Sequence, residues 1–312
     1  MEIIRGFCNL SKHLNQCVVT LGNFDGIHLG HQSLISRLKQ IGKEMNLPTV
    51  VMLFEPQPLE FFNSDRAPSR LTSFREKYLL IESLGIDYLA VISFNRCFAS
   101  MSADQFIEQT LIKNFQAQYV IVGDDFCFGQ NRQGNTTLLQ HYADKSSFQL
   151  TCMPTYVINE QRVSSTAVRQ ALSNSDFNLA QLLLGRPYAI KGRVVHGNQL
   201  ARQLGFPTAN IHLNRKKPAL HGVYLVKIKG NTLSHDYWGI ANIGMRPTIA
   251  GNTAILEVNL FDFNQDIYGH CLEIVFVNKI RDEIKFDSLK ALQAQIAQDV
   301  CIAKKIQAKF TQ

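Results

Sequence analysis

His28 and His31 stand three residues apart at the end of the string Gly22-Asn23-Phe24-Asp25-Gly26-Ile27-His28-Leu29-Gly30-His31. The apolar, β-branched run 17–21 before it reads as a strand, and Leu34, Ile35, Leu38, Ile41 and Met45 after it recur at helical spacing. A strand, a glycine-rich turn and a helix therefore follow one another, with both imidazoles at the helix entrance. Unpaired backbone N–H groups and the positive end of the helix dipole favour an anion there. The chemistry that suits this set is phosphate handling, by positioning and charge stabilisation and without a covalent nucleophile. A second set is Ser164, Ser165 and Thr166 with Arg169. Hydroxyls ahead of a helix cap it and bind phosphate oxygens, and arginine supplies a fixed cation; read alone, the set is an ordinary helix start. A third is Glu257, which lies between Leu256 and Val258 in an alternating stretch that runs on through Asn259 and Leu260. The strand period turns Glu257 and Asn259 away from the apolar face.

These residues need two kinds of scaffold. From residue 17 to residue 122 apolar strand-length runs alternate with helical patterns: 49–54 before Glu55-Pro56-Gln57-Pro58, a Ser73/Glu76 capping box before Tyr78, Leu79, Ile81 and Leu84, then 88–92, a Ser102/Gln105 start before Phe106, Ile107, Leu111 and Phe115, and 119–122. Such alternation implies a mostly parallel sheet covered on both faces, with ligands at the carboxyl ends of the strands. A short helix at 176–184 is broken by Gly185-Arg186-Pro187, and beyond it short strands dominate until a long helix at 288–309. The expected division is 1–184 and 185–312, the second part a small β-barrel able to fold alone.

The chain has 312 residues, 46% hydrophobic and 18% charged, enough for two ordinary cores. No apolar run is long enough to span a bilayer, and the amino terminus has no secretory pattern. Seven cysteines without a C-x-x-C pair argue against a zinc site or a disulfide framework. There is no G-x-G-x-x-G after the first strand and no P-loop motif, which disfavours an NAD-type Rossmann protein and a P-loop kinase. The net charge of +7 fits nucleic acid or phosphorylated ligands equally. Its clusters, Arg215-Lys216-Lys217 and Lys304-Lys305 with Lys309, read as a solvated loop and the polar face of the last helix.

The string 22–31 resembles the H-x-G-H signature of nucleotidylyltransferases in the form found in FAD synthetases. The resemblance implies that His28 and His31 steady the triphosphate of ATP, which Gly22, Asn23, Phe24 and Asp25 help bind, while an incoming phosphate displaces pyrophosphate. Ser164, Ser165, Thr166 and Arg169 resemble the SSTxxR element of the same site, with Ala167 in place of its first arginine. Val122-Gly123-Asp124-Asp125-Phe126-Cys127-Phe128-Gly129 with Arg132 and Gly134 resembles the second FAD synthetase motif, which makes Asp125 and Phe126 flavin-binding candidates. Cys127 stands where many relatives carry a basic residue.

Gly192-Arg193-Val194-Val195-His196-Gly197, Leu204-Gly205-Phe206-Pro207-Thr208-Ala209-Asn210, Gly222-Val223-Tyr224, the stretch from Gly239 to Thr248, Leu256 to Leu260, Tyr268-Gly269 and Arg281 to Phe286 resemble the riboflavin kinase signatures. That implies ATP phosphate binding by Gly197, Thr208 and Asn210, magnesium at Thr208 and Asn210, flavin binding by Arg281 and Glu283, and Glu257 as the base that takes the ribityl hydroxyl proton. Asn259 stands where many relatives carry histidine. The whole chain thus resembles the bacterial FAD synthetase family, in which a Rossmann-like nucleotidylyltransferase domain precedes an antiparallel riboflavin kinase barrel with a carboxyl-terminal helix. The resemblance implies catalytic roles for His28, His31 and Glu257, Mg2+ and ATP, riboflavin and FMN as substrates, FMN and FAD as products, a cytoplasmic setting, and neither nucleic acid, membrane nor obligate protein partner. Two rivals are a chain with one active half and a basic RNA-binding protein, the latter predicting steeply salt-dependent polynucleotide binding.

Overall fold

The computed structural model describes residues 1–10, 14–145, 147–196, 206–213, 215, 217–248 and 251–310, without side-chain description at 245–248 and 251–253. By packing, the chain forms two compact units, Met1–Pro68 with Lys77–Ser164, and Ser69–Glu76 with Ser165–Gln312.

The first unit is built on six strands, β1 (Glu2–Arg5), β2 (Cys17–Leu21), β3 (Thr49–Glu55), β4 (Tyr88–Ser93), β5 (Ala117–Gly123) and β6 (Gln149–Met153). All pair in parallel, in the order β1-β4-β3-β2-β5-β6. The expected parallel sheet is therefore present, and the central β2 is buried along its whole length, as its unbroken apolar run requires. The chain winds from β2 through β3 to β4 in one direction, then crosses to β5 on the other side of β2. The carboxyl ends of β2 and β5 consequently flank a topological switch point, where open α/β sheets bind ligands.

Helix α1 (Leu29–Met45) turns Leu34, Ile35, Leu38 and Ile41 onto the core and stops at Asn46, which takes the left-handed conformation. Gly42 lets it lie close, since a Cβ there would sit 2.4 Å from Thr49 Cγ2. Helix α2 (Phe74–Ser83) follows β3 and opens on the predicted capping box: Ser73 N–H donates to Glu76 Oε2 at 2.6 Å and Glu76 N–H to Ser73 Oγ at 3.3 Å. The helical pattern around Phe106 is realised as a π-helix, Phe106–Asn114.

After the short hairpin β7 (Val157–Ile158) and β8 (Gln161–Arg162), the second unit begins with helices α3 (Ser165–Ser173) and α4 (Phe177–Leu184). Asp176 caps α4, and Gly185, with φ of 70°, ends it. The strands β9 (Ala189–Val195), β10 (Ala209–His212), β11 (Gly222–Lys229), β12 (Tyr237–Thr248), β13 (Gly251–Leu260) and β14 (Cys271–Arg281) close an antiparallel barrel in the order β10-β13-β12-β11-β14-β9. Ile211, Tyr224, Ala241, Ile243, Leu256 and Val258 fill its interior. On the opposite side of the wall Val223, Leu225 and Ile240 pack with Ala303 of the final helix α5 (Leu289–Gln307), which is capped by Ser288.

One expectation fails. Arg215 is not on a solvated loop: it is only 6% exposed, its Nη2 forms an ion pair with Glu76, and its Nη1 donates to Leu71 O at 2.9 Å and Tyr188 Oη at 3.3 Å. Its partner lies 139 positions away in sequence, so a basic triplet shows nothing of it. Lys216 lies outside the described residues, while Lys304, Lys305 and Lys309 are exposed as expected.

Candidate active sites

The turn after β2 is shaped by sterics. Phe24 and Ile27, each 1% exposed, have φ of 47° and 43°, a left-handed conformation that residues other than glycine adopt only where packing holds them. Added Cβ atoms at Gly22 and Gly30 would come within 3.1 Å of the Phe24 ring and 3.2 Å of the His28 ring, so both glycines make room for rings. His28 caps α1: its Nδ1 accepts from the His31 N–H at 3.3 Å, which leaves its proton on Nε2. The two imidazoles stack with centroids 3.6 Å apart. Among the described residues His31 Nδ1 is buried without a hydrogen-bond partner. Burial, His28 and Lys77 together hold the His31 pKa well below its usual value, so this ring is neutral near pH 7.

Lys77 escaped the sequence reading. It is completely buried and its Nζ donates to Asn23 O at 2.7 Å, placing an ammonium directly behind the turn. Its signal was a lysine four residues ahead of the buried Ile81 in an otherwise apolar helical stripe. Also missed was an aromatic cluster at the ends of β3 and β4, where Phe61, Phe62 and Phe94 meet edge to face and Phe62 remains 65% exposed.

At the end of β5, Asp124 accepts from the Thr155 N–H at 2.8 Å and hydroxyl at 3.0 Å. Burial pushes its pKa up, but these bonds and Arg162 outweigh that and hold it low. Asp125 pairs with Arg162 at the surface, and Phe126 stacks on Phe128 at 5.6 Å. The Cys127 thiol donates to Asp125 O at 3.6 Å. Ser164 ends the first unit; Ser165, Thr166 and Arg169 stand on α3 in the second, where Arg169 Nε donates to Ser69 O at 2.6 Å.

In the barrel, Asn210 of β10, Glu257 of β13 and Asn242 of β12 are directly opposite one another across three strands. Cross-strand partners share a face, here the outer face that also bears Ile240 and α5. Asn259, on this face and 8% exposed, donates from Nδ2 to Pro207 O at 2.8 Å, pinning the chain one residue ahead of Thr208. Thr208 and Asn210 line a cavity of about 300 Å³ with Phe263, Asp266 and Tyr268. The Glu283 carboxylate covers Gly244, where a Cβ would fall 2.2 Å from its Oε1. Arg281 is bound to the buried Asp299 of α5 through Nε at 2.9 and 3.0 Å and Nη2 at 2.7 Å. Gly197 lies outside the described residues.

A switch-point histidine pair in an α/β unit, followed by a barrel with a carboxylate between two amides, defines a two-unit transferase of the phosphate-handling class. The comparisons make it particular. Residues 10–167 match the FAD synthetase family and residues 184–307 the riboflavin kinase family. The bifunctional riboflavin kinase/FMN adenylyltransferase of Haemophilus influenzae is 47% identical over 97% of this chain and 98% of its own. That of Escherichia coli K12 is 47% identical over 97% of each. A crystal structure described as a macrolide-efflux protein from Streptococcus pneumoniae is similar with TM-score 0.76 and 31% identity, covering 97% of this chain and 99% of that one. Among the described residues here no helix is long and apolar enough to cross a membrane. The chain belongs to the bifunctional riboflavin kinase/FMN adenylyltransferase family.

Proposed function

We propose that the barrel unit phosphorylates riboflavin with ATP to give FMN and ADP, and that the α/β unit joins FMN to a second ATP to give FAD and pyrophosphate. The assignment places the adenylyltransferase in residues 1–184 and the kinase in 185–312. The observation that carries it is the presence, in one chain, of the His28/His31 pair at the switch point and of Glu257 in register with Asn210.

In the kinase, Glu257 takes the proton of the ribityl hydroxyl as its oxygen attacks the γ-phosphorus and ADP leaves. Thr208 and Asn210 hold phosphate oxygens, with Gly197 assigned to the same task. Thr208 and Asn210 also fit Mg2+, since a hydroxyl and an amide oxygen are hard donors, and an ion that keeps waters and phosphates needs few protein ligands. When bound, the ion neutralises triphosphate charge. Glu283 faces the flavin from the loop after β14, and Arg281, engaged by Asp299, fixes where that loop departs. In the adenylyltransferase, FMN phosphate attacks the α-phosphorus. His28 donates from Nε2 and neutral His31 stabilises charge, with Gly22, Asn23, Phe24, Asp25, Ser164, Ser165, Thr166 and Arg169 assigned to ATP. Asp125 and Phe126 are assigned to the flavin, and the exposed Phe62 offers a further aromatic face. The free cysteines support a reducing, cytoplasmic setting, and neither nucleic acid nor a membrane is assigned as a partner.

Measuring both half-reactions and thermal unfolding in two variants tests the assignment. His28→Ala lowers FAD formation roughly a hundredfold to a thousandfold and spares FMN formation. Glu257→Gln abolishes FMN formation while added FMN is still converted. Both activities falling together with the melting temperature would refute separate sites.

A further inference from the structure

Asn242 is used by neither site as assigned so far, and its Oδ1 is buried with no hydrogen-bond partner among the described residues. A buried acceptor left unmatched is costly, and native structures retain few. Its position gives the cost a purpose. Asn242 is the direct cross-strand partner of Glu257, which puts the two side chains side by side on one face of the wall. Two residues further along β12 on the same face is Gly244, the residue covered by the Glu283 carboxylate. The acceptor therefore sits between the base and the residue that faces the flavin, along the path a flavin side chain takes from ring to phosphorylated end.

We propose that Asn242 binds riboflavin, its Oδ1 accepting a hydrogen bond from an internal hydroxyl of the ribityl chain and so presenting the terminal hydroxyl to Glu257. This rests on the kinase reading of the barrel. Asn242 then belongs to the riboflavin site, whereas Asn210, on the other flank of Glu257, belongs to the nucleotide site. An open-chain polyol supplies the donor that the free protein lacks, and a substrate without it leaves the acceptor unmatched.

The test is steady-state FMN formation by the full chain with Asn242→Ala, using riboflavin and its analogues lacking one internal ribityl hydroxyl. For Asn242→Ala the expected result is a fall of about tenfold in kcat/KM for riboflavin, with KM for MgATP within about twofold of the parent. FAD formation from added FMN stays at the parent rate. The melting temperature stays level or rises, because an unmatched acceptor contributes nothing to the fold. Asn242→Asp, which keeps an acceptor oxygen, retains a lower riboflavin KM than the alanine variant. One deoxy analogue loses about tenfold with the parent and nothing further with Asn242→Ala. A lower melting temperature, a change confined to MgATP, or equal losses on every analogue in both proteins would overturn the proposal. A parent that makes no FMN from riboflavin would refute the kinase reading itself, a result distinct from any of these.

Discussion

His31 and Asn259 show how single side chains acquire roles that their types do not announce. Neutral His31, its Nδ1 buried, resists protonation in the folded unit, whereas in the unfolded chain it takes a proton near pH 6.5. As pH falls below about 6.5 the unfolded state binds that proton first, so the contribution of His31 to stability falls with pH; above that value it is constant. Thermal unfolding of the parent and of His31→Gln at pH 5 to 7.5 checks this: the variant is expected to lose less stability on acidification. The strand period marks Asn259 only as one of two polar residues on a strand face, yet it is buried and tied to Pro207 O. Asn259→Ala should reduce kinase efficiency about threefold to tenfold, the value of one hydrogen bond, through the KM for MgATP, and leave FAD formation alone. Asn259→His, which keeps an N–H, should recover part of the loss. Equal kinetics for all three proteins would remove the positioning role.

Among the elements, those specified by local pattern were legible and those specified by distant partners were not. The strand-turn-helix around His28, the capping box at Ser73 and Glu76, and the Gly185 stop follow from period and cap chemistry within a few residues, and the structure has all three. The π-winding of Phe106–Asn114 has no such local signal. Nor does the second duty of Glu76, which both closes the cap of α2 and receives Arg215 and the Lys191 N–H, the latter at 2.8 Å. A charge cluster in sequence carries no information about a carboxylate more than a hundred positions away, and only burial distinguishes Arg215 from Lys217. Arg215→Met is expected to destabilise the second unit by about 3–5 kcal/mol, because Glu76 is left charged and buried. Denaturant unfolding followed by Trp238 fluorescence measures it, and a change under about 1 kcal/mol would assign the pair no structural weight.

For the whole molecule, the order of the two architectures was readable from the change of period alone, and the flavin chemistry only from motif resemblance. What sequence could not show is that Ser69–Glu76, inserted within the first architecture, packs with the second. A fragment 185–312 therefore keeps the barrel strands but lacks Glu76, and Arg215 loses with it the Arg70 and Leu71 carbonyls to which it donates. Such a fragment is expected to phosphorylate riboflavin yet melt well below the barrel transition of the full chain. Within it, Arg215→Met is expected to cost less than in the intact protein, because no buried carboxylate is left behind. A fragment as stable as the full chain's barrel would show that the inserted segment is dispensable. The closing seam of the barrel has a consequence of its own. Among the described residues β9 and β10 share two residue pairs, Asn210 with Val195 and Ile211 with Val194, against ten between β12 and β13. Among the described residues β10 is thus a stave riveted by four rungs to β13 and by two to β9, so the wall holds Asn210 chiefly from the side of Glu257.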